Sequence, residues 1–244
     1  MSLYYSGDGI TLYHGDCLTE HREWLEADVL VTDPPYGIGW TRNGISRTSC
    51  ADRARGDYNG NQRPEHKGIK NDDSVDARES ALKLWQDKPA IVFGSLLVAP
   101  PPGTKQVAVY VKPADSGVIS SYAGVRRDIE ALYILGEHAD WRWGGARPRS
   151  AVFKTGARVA GAVGGLVQRY GGHPHAKPID VLEGLLLHVA PPGTIADPFA
   201  GSGSTLVAAR NLGRKAIGVE LEERYCEIVA KRLAQGALDF GDAS

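Results

Sequence analysis

Short apolar runs rich in Val, Ile and Ala, several of them closing on a Gly or an acidic residue, alternate with helical patterns along this chain. They lie at Ile10–Tyr13, Asp28–Thr32, Ala90–Phe93, Val107–Val111, Ala131–Leu135, Gly193–Ala196 and Ala216–Val219. A run with no polar alternation has no face to give to solvent, so it reads as a strand buried on both sides, and the intervening helices are the crossovers that parallel strands need. Three segments carry helical periodicity. Pro178–Val189 places Leu182, Leu185, Leu186 and Val189 on one face, Ser204–Leu212 is a second helix, and Glu222–Leu233 repeats Tyr225, Ile228, Val229 and Leu233 at helical spacing. The expected fold class is α/β, with a mostly parallel sheet of seven strands. A chain of 244 residues, 42% of them hydrophobic, can bury one such core, so residues 1–244 are predicted to form a single domain.

Two segments break the alternation. Thr41–Lys70 is polar and basic, with Arg42 and Arg47 among its cations, and Trp141–Tyr170 contains Arg147, Arg149, Lys154 and Arg158 without an acidic residue. Over the whole chain 28 basic residues face 29 acidic ones, a net charge of −1, so a polyanion can be held only by local patches of this kind. The variable basic segments at about 41–75 and 138–172, with Arg42, Arg47, Arg147, Arg149, Lys154 and Arg158, are therefore the candidate insertions for contact with a polyanion. Cys17, Cys50 and Cys226 lie far apart without metal-ligand spacing, which predicts no disulfide framework, no metal and a reducing compartment. No stretch approaches the length of an apolar membrane span, so a cytoplasmic protein without a membrane partner is expected.

Two motifs carry chemistry. Asp33-Pro34-Pro35-Tyr36 follows the run Asp28–Thr32, which puts the Asp33 carboxylate at the carboxyl end of a strand, where ligands bind in open α/β sheets. The prolines fix the backbone and remove two N–H donors, leaving carbonyl oxygens free to accept. A carboxylate beside a proline-held carbonyl is a pair of acceptors matched to the two hydrogens of an amino group, and Tyr36 offers a flat face to a base. The second motif, Asp197-Pro198-Phe199-Ala200-Gly201-Ser202-Gly203, also links a strand to a helix, and its glycines permit a tight turn close to a cofactor. It lacks the Lys of a phosphate-binding loop, which argues against a triphosphate. The next strand runs into Glu220, roughly twenty residues beyond the glycines, the distance at which an acidic side chain accepts from a ribose hydroxyl pair.

With these motifs in this order the chain resembles the amino-methyltransferases of DNA, in the permuted arrangement called the beta group, where the catalytic Asp-Pro-Pro-Tyr precedes the glycine loop. His14-Gly15-Asp16-Cys17-Leu18 before the catalytic strand and His173-Pro174-His175-Ala176-Lys177-Pro178 before the helix leading to Asp197 extend the likeness, although the family usually has Thr-Gln where His175-Ala176 stands. The resemblance implies a Rossmann-like methyltransferase fold, S-adenosylmethionine as cofactor and DNA as partner, in the setting of DNA methylation and restriction-modification in a bacterial or phage-infected cell, with a homodimer as one assembly. It also implies that Phe199, Ala200, Gly201, Ser202 and Gly203, with Asp197, cradle the methionine part, and that Glu220 holds the ribose. Asp16 and Cys17 lie by the adenine ring in this reading, and Lys177 and Pro178 close over the methionine end. Asp33, Pro34, Pro35 and Tyr36 are then the catalytic residues.

A base amino nitrogen is a weak nucleophile because its lone pair is delocalised into the ring, and accepting hydrogen bonds from its N–H groups localises that pair. No nucleophilic cysteine is needed, and the chain has no Pro-Cys motif. The expected reaction is site-specific methylation of the adenine amino group, because family members with Asp at the first motif position mostly modify adenine. Methylation of the cytosine amino group stays open, as does a non-catalytic DNA-binding role on the same fold. A glutamine-modifying protein methyltransferase is disfavoured, since it has Asn at the first motif position and the glycine loop first.

Overall fold

The computed structural model describes residues 2–38, 70–112, 125–137, 150–155 and 176–235. Nine strands form one sheet in these residues: β1 (Ser2–Gly7), β2 (Ile10–His14), β3 (Val29–Thr32), β4 (Ala90–Gly94), β5 (Thr104–Val111), β6 (Ile129–Leu135), β7 (Val152–Lys154), β8 (Ile195–Asp197) and β9 (Ala216–Glu220). The helices are α1 (Asp76–Trp85), α2 (Ile179–His188), α3 (Ser204–Asn211) and α4 (Glu223–Ala234). Strand order is β1-β2-β9-β8-β3-β4-β6-β5-β7. The β2, β9, β8, β3 and β4 strands run parallel to one another, whereas β6 is antiparallel to both its neighbours and β1 is antiparallel to β2. The fold is the expected α/β class with a mostly parallel sheet.

All seven expected strands are present, and the count of seven is corrected to nine by two edge strands. The first, β1, joins β2 through Asp8 and Gly9, whose φ values of 50° and 77° make the tight two-residue turn that Asp-Gly favours in hairpins. The second, β7, is only three residues long and pairs parallel with β5, so part of the basic segment assigned to insertion is sheet. Helix α1 was also unexpected, although Ala77, Ala81 and Trp85 recur four residues apart along its buried face. Of the first basic segment, residues 41–69 lie outside the described residues, and so do 138–149 and 156–172 of the second.

Both faces of the central strands are buried, which is why their sequences do not alternate. Val29, Val31, Ile91 and Phe93 face one layer with Leu182, Leu185, Leu206 and Val229 from α2, α3 and α4. Their neighbours Leu30, Ala90 and Val92 face the other layer, where Trp24 and Trp85 stack with centroids 5.7 Å apart. No helix among the described residues is long and apolar enough to cross a membrane.

Strand direction places the chemistry. The parallel strands deliver Gly15–Leu18 after β2, Asp33–Tyr36 after β3, Pro198–Ser202 after β8 and Leu221–Glu222 after β9 to a single edge of the sheet. Because β6 is reversed, its beginning, with Glu130, lies at that same edge, and so does Lys112 just past the end of β5.

Candidate active site

The Asp33 motif and the glycine loop open into one cavity of about 300 Å³. Asp33, Pro34, Pro35 and Tyr36 line it together with Asp16, Cys17, Lys177, Asp197, Phe199, Ala200, Gly201, Ser202 and Glu220. Gly203 and Pro178 stand behind this wall: Gly203 caps the start of α3 and Pro178 the start of α2.

The turn after β3 is fixed by a residue that sequence reasoning passed over. Since Pro34 and Pro35 have no N–H to give, the next donors are the amides of Tyr36 and Gly37, and both bond Oδ1 of the buried Asp72, at 2.7 and 2.9 Å. Gly37 has φ of 72° and a Cβ there would stand 2.7 Å from the Ser74 carbonyl carbon, so the turn admits only glycine without distortion.

Asp33 sits inside a charge cluster. Its Oδ2 accepts from Lys177 Nζ at 2.5 Å, and its Oδ1 accepts from the Tyr36 hydroxyl at 2.7 Å. Glu130, also buried, places Oε2 at 3.3 Å from Lys177 Nζ and 3.3 Å from the Tyr36 hydroxyl, while its Oε1 pairs with Lys112 at 2.7 Å. Burial raises the Asp33 carboxyl above its ordinary value; Lys177 pulls it down and Glu130 pushes it up. Burial opposes the charge on Lys177, but Asp33 and Glu130 outweigh it and the ammonium is held more firmly than in water. The Tyr36 phenol, buried beside two carboxylates, is raised well above its usual value and stays a donor.

Thus Lys177, expected over the methionine end, has its ammonium against Asp33, 5.2 Å from the Phe93 ring centroid and 5.5 Å from that of Tyr36. Glu130 and Lys112 lie just outside the apolar runs that mark their strands. The expected strands Ala131–Leu135 and Val107–Val111 each stop one residue short of them, where an apolar run gives way to a charge. A charged residue at the active edge of a buried strand was the available signal.

The glycine loop is built around two acids. Asp197, buried at the end of β8, accepts from Thr32 Oγ1 at 2.7 Å and from the Phe199 amide at 3.3 Å, and burial raises its carboxyl to about 6. Glu220 accepts from the Gly201 amide at 2.8 Å and from the Glu222 amide at 2.8 Å, and burial raises it to about 7. Each carboxylate oxygen has a second lone pair, so Glu220 braces the loop and still presents acceptors to the cavity. Arg232 of α4 donates to the Ser202 carbonyl and ties the loop from behind. Near the other wall, Asp16 Oδ1 accepts from the Leu18 amide at 2.8 Å. Cys17 is buried, its carbonyl takes the Trp24 indole N–H at 3.0 Å, and burial pushes its thiol up to about 12, which disfavours the thiolate.

Gly203 has φ of 75°, and a Cβ on it would stand 2.6 Å from Val229 Cγ1. Gly203→Ala is expected to destabilise the protein by about 2 kcal/mol or more, through left-handed backbone cost and overpacking against α4. Urea denaturation reads this directly, and a stability equal to the parent would mean that the loop relaxes freely.

Known proteins share sequence and fold with this chain. Residues 105–231 match the family profile N6_N4_Mtase, described as DNA methylase. The putative methylase YubD of Escherichia coli K12 is 30% identical over 245 aligned positions that cover 94% of this chain and 93% of YubD. The chain belongs to the N6/N4 DNA methylase family. The alignment of this methylase with the type II methyltransferase M2.LlaDCHI of Lactococcus lactis subsp. cremoris is 47% identical, but spans 28% of the chain and only 25% of that relative. The fold is shared with M1.HpyAVI (TM-score 0.58, 19% identity, 92% of this chain and 98% of that one). It is also shared with the cytosine-N4-specific PvuII DNA methyltransferase (TM-score 0.61, 16% identity, 97% and 90%).

Proposed function

We propose that this methylase transfers the methyl group of S-adenosylmethionine to the exocyclic amino nitrogen of adenine in DNA. The observation that carries the reading is the shared cavity: the Asp33 acceptor and the Gly201–Glu220 cradle open into the same space, so a donor held by one faces an acceptor held by the other. A family relative, YhdJ of Escherichia coli K12, is named a DNA adenine methyltransferase and is 41% identical over 69 residues, 28% of this chain and 24% of YhdJ. That likeness favours adenine, whereas the likeness to the PvuII enzyme is one of fold.

The residues present suit S-adenosylmethionine. Glu220 offers acceptors to a ribose diol, the loop from Phe199 to Ser202 offers close backbone approach, and Asp16 and Cys17 border the same space. The cofactor supplies a methyl group made electrophilic by a sulfonium. Asp33 and the Pro34 carbonyl accept from the target amino group and return lone-pair density to its nitrogen. Tyr36 stacks against the base, which must leave the duplex to reach the cavity. The chain's contribution is alignment and electrostatics, and the proton shed by the methylated nitrogen passes toward Asp33 or water. DNA is gripped in this reading by Arg42, Arg47, Arg147, Arg149 and Arg158, outside the described residues, and by the exposed Lys154 on β7. Digestion of DNA treated with the purified protein, followed by mass spectrometry of the nucleosides, tests the proposal. N6-methyladenine is the expected product; N4-methylcytosine alone would replace adenine by cytosine, and no methylated base would end the reading.

Cofactor binding should depend on pH. Burial pushes the Glu220 carboxyl up to about 7, and its ionised form is the one suited to accept from both ribose hydroxyls while holding Gly201 and Glu222. Affinity is therefore greatest above that value and falls as pH drops through it, approaching about tenfold per pH unit. Calorimetry near neutrality should also detect a proton released on binding; an affinity that is flat with pH would remove the ionised Glu220 from the cofactor site.

A further inference from the structure

Asp33 presents a difficulty for the reaction just proposed, on which this inference rests. Each of its oxygens already accepts one hydrogen bond, Oδ2 from the Lys177 ammonium at 2.5 Å and Oδ1 from the Tyr36 hydroxyl at 2.7 Å, so a base amino group must share Asp33 with two donors. An arriving amino group needs a lone pair on Asp33 directed into the cavity, and a charge-assisted bond to a buried ammonium is the strongest competitor for it. Both donors, however, lie within 3.3 Å of one and the same second acceptor, Oε2 of Glu130.

We propose that Glu130 is a positioning residue that receives the Lys177 ammonium, and with it the Tyr36 hydroxyl, when the target amino group takes their place on Asp33. The exchange is a shift of hydrogen bonds between two neighbouring carboxylates. It creates no new charge, because the Lys177 ammonium moves between two carboxylates, Asp33 and Glu130, that it already contacts. Lys112 anchors the opposite oxygen of Glu130 at 2.7 Å and leaves Oε2 directed at the donors. The sheet explains why these groups meet: Asp33 follows a parallel strand, Glu130 opens the reversed strand β6 and Lys112 follows β5, so all three reach the same edge. Without Glu130, Lys177 would have Asp33 as its sole carboxylate partner in this cluster and would hold it closed to substrate. The raised carboxyl of Asp33 is in keeping with a second negative charge beside it.

The test measures single-turnover methyl transfer from tritiated S-adenosylmethionine to genomic DNA of a methylation-deficient bacterial strain, across a range of pH, with parent and Glu130→Gln proteins. The variant is expected to lose about thirtyfold or more in rate with cofactor affinity little changed. The acid limb of its pH profile should move to lower pH, since a negative neighbour of Asp33 is gone while Lys177 remains. Loss of the Glu130 charge moves that limb whatever its role, so the discriminating reading is the rate on the plateau well above the limb, where Asp33 is ionised in both proteins: transfer there should still be slow although cofactor affinity and thermal stability match the parent's. A plateau rate close to the parent's, or a slow plateau accompanied by lost cofactor affinity or stability, would overturn the proposal. Should the Gln variant fail to fold, Glu130→Asp keeps the charge and shortens the reach by one methylene. It should still lose rate, and parental activity in it would overturn the role equally. A parent protein that methylates no DNA sinks the proposed function and this role together, whereas an active parent beside an unaffected variant sinks this role alone.

Discussion

Asp33→Ala is expected to abolish methyl transfer, with a loss of about a thousandfold or more in single-turnover rate, while leaving S-adenosylmethionine binding nearly unchanged. Removing the carboxylate takes away an acceptor for the target amino group and the ion-pair partner of Lys177 at once. The substituted site is then left with Lys177 drawn wholly to Glu130, 3.3 Å away, so the buried ammonium keeps a partner and the fold should survive. Among the described residues, no hydrogen bond of the glycine loop or of Glu220 involves Asp33, which is why cofactor affinity should hold. Isothermal calorimetry with the cofactor and a tritium-transfer assay on the same preparation separate the two effects. Retained transfer would remove Asp33 from the reaction, and a parallel loss of cofactor binding would turn it into a residue of the cofactor site.

Glu220→Ala should produce the complementary pattern. If Glu220 accepts from the ribose, two charge-assisted hydrogen bonds disappear, each worth about 1.5 to 3 kcal/mol, so the dissociation constant should rise roughly a hundredfold or more. The loop also loses its brace, because the same carboxylate holds the amides of Gly201 and Glu222. Glu220→Gln divides these contributions. Its amide oxygen can still take one backbone N–H, so loop and stability should suffer less than in the Ala variant while cofactor affinity remains poor. Calorimetry and thermal melting of both variants give the two readings side by side. An affinity equal to the parent's in both would leave Glu220 as a brace for the loop and nothing more.

The sequence by itself determined the sheet's parallel centre, because strands buried on both faces must read as unbroken apolar runs, as Val29–Thr32 and Ala90–Gly94 do. It also determined the two chemical motifs, since in Asp33-Pro34-Pro35-Tyr36 and the Asp197–Gly203 turn proline, glycine and a strand end restrict the backbone locally, although Asp72, Glu220 and Arg232 hold these turns in place from a distance. The edge strands were harder to read. The three-residue β7 carries too short a pattern for periodicity, though the Asp8-Gly9 turn before β2 was a legible hairpin signal. The environment of the catalytic carboxylate was decided by the tertiary structure alone. Lys177 lies 144 positions from Asp33 and Glu130 lies 94 positions from Tyr36, and only the reversal of β6 brings Glu130 to the edge where β3 ends. A charge in a sequence has no partner until topology assigns one. Which oxygen faces which ammonium, and hence what Asp33 must release before it can accept from a base, is set by strand order and direction, which no local pattern encodes.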